Sequence, residues 1–344
     1  MRQLPPLHWT PIAIFVVTYL LIAAESDRST YLDRTAAAFC GSVAMVLAHV
    51  LTLEAIYASI DWNTIVFLLG IMILVAHFTV SGFFDWIAVH IAALARSRQQ
   101  LRALRVASSG ILSAFFVNDT FCLMFAPIVL SVTERLELPP RPYVIALAAS
   151  ANVGSAMSIT GNPQNALIGI AGHFSFLDFL GRLAPVSLVG LALNFALLAV
   201  MFRRELVGKA LPAAPARPVA LDRVRLVKSL LAASLVLVLW ALNFTFPLVA
   251  ISVGALILLI GRVKSGFIHD RIDWTLLLFF AALFVLIHGF ERSGAPAYLI
   301  DHFQPWFQRG PLASFCCETQ NPASNQGAHE LLNVVFASVL LSLL

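Results

Sequence analysis

Charge is scarce in this chain. Only 12% of its 344 residues are Asp, Glu, Lys or Arg, and 60% are hydrophobic, whereas a soluble domain is about a quarter charged and near half apolar. No soluble core could hide so much apolar surface, so the natural solvent is a bilayer. Cysteine is scarce too. Cys40, Cys122, Cys316 and Cys317 have no zinc-site spacing and form no disulfide framework. No Walker-type phosphate loop and no dinucleotide fingerprint occurs, which excludes an ATPase within the chain. No Ser-His-Asp or Cys-His arrangement stands out, so the convergent groups of a membrane hydrolase are missing and no enzyme is expected. The first apolar run lacks a small-residue cleavage site, so no cleavable signal peptide is expected.

What is present is a series of apolar runs. They predict spans at Thr10–Ala24, Thr35–Tyr57, Thr64–Val80, Val144–Ile170, Leu183–Phe202, Ser229–Phe244, Pro247–Ile260 and Trp274–Phe290. Phe83–Ala95 is amphipathic and predicts a helix lying at the interface. The net charge of +4 points to no nucleic acid, because the basic residues sit in short loops between apolar runs. Arg96, Arg98, Arg102 and Arg105 make one such loop. Arg203, Arg204, Lys209, Arg217, Arg223, Arg225 and Lys228 make another. The positive-inside rule places both in the cytoplasm. An even number of crossings must separate them, and Val144–Ile170 with Leu183–Phe202 supplies two. Val106–Val132 must therefore enter and leave on the same side, as a re-entrant hairpin with Asn118-Asp119-Thr120 near its tip.

Leu211–Pro218 is rich in Pro and Ala and reads as a linker between two halves. The resulting division is 1–34, an N-terminal span and loop; 35–202, a first repeat; 203–228, a cytoplasmic linker; and 229–344, a second repeat. A faint internal match supports it. Asp61-Trp62 through Ser81-Gly82 aligns without gaps to Asp273-Trp274 through Ser293-Gly294, and seven of 22 positions agree. The shared residues are the Asp, Trp, Ser and Gly pairs with Phe67/Phe279, Leu74/Leu286 and Phe78/Phe290. Counted from the basic loops, Thr64–Val80 runs outside to inside and Trp274–Phe290 runs inside to outside. Opposed related segments are the mark of an inverted-topology repeat, common in secondary transporters. The alternative is two unrelated spans with common interfacial residues.

Two constellations carry chemistry. The first is Asn118, Asp119 and Thr120. An ionised Asp at membrane depth costs at least ~2.5–3.5 kcal/mol and is kept where it meets water, an ion or a partner. Asn118 and Thr120 add neutral oxygen ligands. The structural alternative is an extramembrane turn, for which Asn and Asp are suited. The second is the string Thr160-Gly161-Asn162-Pro163-Gln164-Asn165 within Ala151–Ile168. Gly161-Asn162-Pro163 breaks a helix, and non-helical backbone at membrane depth survives only where it is buried or lines a cavity. A half-helix from Ala166 onward would aim its partly positive N-terminus into the protein, which suits an anion. A plain loop joining two short helices is the alternative. His77, His90 and His288 are read as packing residues, and the Phe residues as core and lipid-facing.

At these two motifs the chain resembles the ion transporter superfamily of arsenical pump membrane proteins, NhaD-type sodium/proton antiporters and citrate/dicarboxylate–sodium symporters. The resemblance is strongest over Arg34–Phe202 and looser over Ser229–Gly294. It implies an all-α integral membrane protein, an inverted-repeat secondary transporter with a re-entrant hairpin and a discontinuous helix, working by alternating access around a midplane site. Asn-Asp at the tip is most similar to the arsenical pump and anion permease branches. The resemblance implies substrate or ion binding by Asn118, Asp119, Thr120, Thr160, Gly161, Asn162, Pro163 and Asn165, with sodium near Asn118, Thr120 and Asn162. Its coupling ion would be Na+ or H+, with no other cofactor. Its partners would be a small anion or cation, the lipid bilayer and a second copy as homodimer, and its place the inner membrane, multi-pass. The expected function is transport of a small inorganic or carboxylate anion, arsenite-type efflux or sodium-coupled uptake included. The alternatives are a sodium/proton antiporter and a truncated chain without transport activity. The last arises because the second half of such a protein should carry its own Ser-Asn-x-Pro hairpin and broken helix, whereas Leu331–Leu344 resembles only that hairpin's first arm.

Overall fold

The computed structural model describes residues 6–23, 33–94, 97–203, 221–263 and 265–298. The expected arm at Leu331–Leu344, the linker at Leu211–Pro218, Cys316 and Cys317 lie outside these. Among the described residues every regular element is a helix. In chain order they are α1 (Trp9–Ala23), α2 (Arg34–Leu47), α3 (Leu53–Ser59), α4 (Trp62–Val80), α5 (Phe83–Leu94), α6 (Arg98–Phe115) and α7 (Asn118–Arg135). Then come α8 (Pro140–Ser155), α9 (Pro163–Ala171), α10 (Phe176–Met201), α11 (Arg223–Ala241), α12 (Phe246–Ile260), α13 (Ser265–His269) and α14 (Trp274–Glu291).

By length and composition α4, α10, α11 and α14 are able to cross a membrane. They fall into two kinds. The spanning windows of α4 and α14 are each 67% buried within the protein, while those of α10 and α11 are 17% and 22% buried. The first pair forms core. The second presents Val186, Leu193, Leu197, Leu231 and Val238 outward, as a lipid-facing helix must.

Two compact units result, dividing at Ile65/Val66 and Asp273/Trp274. In one, α14 packs on α2, α2 on α1, and α14 also touches α1 and α3. Phe15 stacks on Phe290 at 4.4 Å. In the other, the sites of interest sit on α6–α9. There α8 lies along α6, α7 and α10, α5 lies against α6 and α7, and α11 pairs with α12.

The structure differs from expectation at one span. Thr35–Tyr57 is not one helix but two, α2 and α3. Ala48 closes α2, His49 adopts φ 55°, and the Thr52 hydroxyl accepts from the Ala55 N–H at 3.3 Å to start α3. A left-handed residue cannot continue a right-handed helix. Two starts shift as well: α10 begins at Phe176 rather than Leu183, because Ser175 caps it by accepting from Asp178 N at 3.1 Å, and α11 begins at Arg223 rather than Ser229, because Asp222 caps it by accepting from Arg225 N at 3.0 Å.

The matched segments of the sequence close in the same way. Ser81 Oγ donates to Phe78 O at 2.7 Å and Ser293 Oγ to Phe290 O at 2.6 Å. Gly82 has φ 78° and Gly294 φ 77°, a conformation open to glycine at no steric cost. The Ser81 carbonyl accepts the N–H of Asp222, the residue just before α11, and the Ser293 carbonyl accepts the N–H of His8, the residue just before α1. The shared apolar residues Phe67, Leu74, Phe78, Phe279, Leu286 and Phe290 are each at most 6% exposed.

Candidate functional site

Two backbone interruptions meet in the unit that holds α6–α9. The first separates α6 from α7 at Phe116 and Val117. An aromatic cluster holds it. Phe116 packs edge-on to Phe78 at 5.2 Å and to Phe84 at 5.4 Å, and Phe121 stacks on Phe125 at 5.1 Å. Helix α7 starts at Asn118, and Val117 before it offers no side-chain cap. The polar triplet is therefore the first turn of a helix, and the break itself is apolar.

The second interruption runs from Ala156 to Asn162, between α8 and α9. Asn162 is extended and caps α9, its Oδ1 accepting from Asn165 N at 2.8 Å. Pro163 follows at the first helical position, where its missing N–H is no loss. The half-helix thus begins three residues earlier than the expected Ala166. Gly161 is required by space. A Cβ there would stand 2.0 Å from the Ser155 carbonyl oxygen, a backbone atom that cannot yield.

The two breaks are bonded to each other. Asn118 N donates to Gly161 O at 2.8 Å, and Asn118 Nδ2 donates to Asn152 Oδ1 at 2.6 Å. The Ala114 carbonyl, left without an intrahelical partner at the end of α6, accepts from Ser158 Oγ and from Thr160 Oγ1, the latter at 2.9 Å. One residue earlier Ser113 Oγ donates to Ala151 O at 2.8 Å. Gly154 lets α8 come this close, since a Cβ there would lie 2.1 Å from Gly110 O.

Of the sequence-predicted residues, Asn118, Thr160, Gly161, Asn162, Pro163 and Asn165 come together around this junction. Several have structural duties. Thr160 and Ser158 cap α6. Asn165 Nδ2 donates to Ser155 O at 3.1 Å and Ser158 O at 2.8 Å, which holds the unwound strand in shape. Asp119 is half-buried in the first turn of α7, where a carboxylate also offsets the helix dipole. Thr120 stands apart. It is 3% exposed with no hydrogen-bond partner for its hydroxyl, and it lines a separate cleft with Thr79, Asp85 and Asp273. Two residues along a helix turn through about 200°, so Asn118 and Thr120 face different ways. The Asn162 side-chain oxygen is engaged as the cap of α9.

Sequence reasoning missed the partners Asn152, Ser158, Ser113 and the Ala114 carbonyl. Asn152 was visible only as one polar residue among several in an apolar stretch, and its partner lies 34 residues away. The histidines behave as expected in part. The Nδ1 of His90 lies 2.8 Å from Trp86 O, and His288 pairs with Glu291 at 3.3 Å. His77 Nδ1 lies 3.1 Å from Ile73 O, and its Nε2 is buried with no partner.

Apolar helices interrupted by two breaks that are bonded to each other are an arrangement found in secondary transporters. Comparison with known proteins agrees. The family model described as citrate transporter (CitMHS) matches residues 19–343, and the chain belongs to that family. An uncharacterized transporter of Mycobacterium bovis is 32% identical over 300 residues, 82% of this chain and 68% of the relative. The silicon efflux transporter LSI3 of Oryza sativa subsp. japonica is 33% identical over 196 residues, 57% of this chain and 40% of the relative. A protein of Dictyostelium discoideum named as a transporter, arsB, is 28% identical over 196 residues, 56% and 35% of the two chains.

Proposed function

We propose that the chain is a secondary active carrier of a small inorganic or carboxylate anion in the inner membrane. The observation that carries this is the meeting of two helix N-termini, α7 and α9, joined by Asn118 N to Gly161 O at 2.8 Å. Helix N-termini carry partial positive charge and favour anions. No basic side chain is needed, which keeps binding weak enough for release. The family description and the efflux name of the rice relative support the class. The division into repeats at 35–202 and 229–344 is part of the proposal, supported by the like closures of α4 and α14.

Uptake of labelled citrate and of labelled arsenite into proteoliposomes tests the proposal. Saturable flux is expected for one of them, with Asn152→Ala raising its KM. Absence of saturable flux for any anion or for sodium would leave the third expectation, a chain without transport activity.

A second reading, sodium/proton exchange, is favoured by Asp119 alone. It is a half-buried carboxylate beside Asn118. Asp119→Asn should abolish proton-coupled exchange. Unchanged sodium/proton flux in that variant, with its usual pH dependence, would end this reading.

A further inference from the structure

We infer that the Arg105 guanidinium, with the Ser109 hydroxyl one turn further along α6, is a second binding station for a small free oxyanion. By sequence Arg105 counts among the arginines of a cytoplasmic loop, yet it lies within α6 and is 1% exposed. Its Nε, Nη1 and Nη2 are buried with no hydrogen-bond partner. A guanidinium is always charged and carries five N–H donors. Buried charges in folded proteins are paired, because the interior solvates them poorly. What Arg105 does have is the Tyr143 ring, with 5.6 Å from Cζ to the ring centroid. The ring attracts the cation through its π face and leaves the donors at the guanidinium edge open.

Ser109 repeats the pattern. It is 1% exposed, and its hydroxyl has no partner. Residues four apart share a helix face, so Arg105, Ser109 and Ser113 form one polar stripe along α6. At its deep end Ser113 donates to Ala151 O of α8. At its outer end Arg105 meets Tyr143 of the same helix. The stripe spans about 12 Å and stops one residue short of Ala114, whose carbonyl belongs to the junction. Tyr143 stands in the first turn of α8, where the helix dipole adds partial positive charge.

These donors select the ligand. The guanidinium fork matches the paired oxygens of a carboxylate or a phosphate, and the Ser109 hydroxyl adds a further donor. A lipid headgroup does not suit the place, because the group is enclosed and its neighbour Val106 packs with Leu191 and Leu198 of α10. The ligand is therefore a free oxyanion. In the orientation that the basic loops dictate, α6 enters from the cytoplasm, so Arg105 lies on the cytoplasmic side of the junction. The inference rests on the anion proposal for the class of cargo, and it gives that cargo a second resting place.

The test is equilibrium binding of radiolabelled inorganic phosphate to the full chain in nanodiscs at constant ionic strength. Unfolding temperature is measured alongside, in phosphate and in chloride. The unaltered chain should bind phosphate saturably and melt higher in phosphate. Arg105→Met fills similar space without charge and should lose one phosphate site per chain, together with the phosphate-dependent rise in melting. Arg105→Lys keeps the charge but not the fork, and should raise the half-saturating phosphate concentration of that site about tenfold or more. Ser109→Ala should raise it by a smaller factor. An unchanged phosphate capacity in Arg105→Met, with equal loss of stability in phosphate and in chloride, marks the arginine as structural and overturns the station. So does an unchanged half-saturation in Arg105→Lys, which decides alone if Arg105→Met does not fold, or no saturable phosphate binding by the unaltered chain. Uptake of labelled citrate and arsenite by the same preparations separates the two proposals. Saturable flux with phosphate binding indifferent to Arg105 removes the station alone. Phosphate binding that depends on Arg105, without flux of either anion, removes the carrier reading alone.

Discussion

Helices α4 and α14 share a sequence signature, an extent of burial and a manner of ending, yet they sit in different company. Each is two-thirds buried. Each ends on a serine that donates back to the phenylalanine three residues before it, and then on a glycine near φ 78°. Each presents its serine carbonyl to the residue preceding another helix, Asp222 before α11 or His8 before α1. Beyond those ends the two units part. After Gly82 the chain adds α5–α10, with both breaks and every predicted site residue. After Gly294 the described residues run only to 298. The common part is packing and capping, the chemistry of holding a helix in place. Among the described residues, the predicted site residues all lie in the unit that continues past Gly82.

The comparison can be broken from either side. The largest effect is expected where the units differ. Gly161→Ala drives a Cβ against the Ser155 carbonyl, and overpacking of that kind costs up to ~3 kcal/mol or more. The Asn118–Gly161 bond should fail with it. Thermal unfolding in detergent should show a large drop in midpoint, together with lost flux. The next effect is expected where the units agree. Gly82→Ala and Gly294→Ala each force alanine into the left-handed region, at ~1–2 kcal/mol apiece. Equal losses of stability sharpen the likeness. A clear loss at one and none at the other breaks it. The smallest effect is expected at Thr160→Val, about 1 kcal/mol, because Ser158 still donates to Ala114 O. Adding Ser158→Ala should cost more than the first change alone, since the carbonyl then has no donor.

Much of this was legible in the sequence, for local reasons. Pro163 after Asn162 announces a helix start, and the polar run from Ser155 to Asn165 announces an interruption. A stricter use of capping rules would also have placed the start at Pro163 rather than Ala166, since Asn is a preferred N-cap and Pro a preferred first residue. The division of α2 from α3 was hidden because Ala48-His49-Val50-Leu51 contains neither Gly nor Pro, and His49 takes its positive φ without any sequence cue. The pairings Asn118–Asn152 and Thr160–Ala114 were hidden for another reason. They join residues 34 and 46 apart, and no periodicity reports which side chains meet across helices. The opposite facing of Asn118 and Thr120 was available from helix geometry once the triplet was known to be helical. Placing it at a turn concealed that.

The seam between the two breaks also limits how they can move. Asn118 is bonded to Gly161 and to Asn152, Ser113 to Ala151, and Ala114 to both Ser158 and Thr160. Five hydrogen bonds, closed over by glycine at the crossing of α6 and α8, leave no slack for one break to slide past the other. The two breaks are tied into one unit, and in the proposed carrier an exchange of cargo between the two sides of the membrane would displace that unit whole.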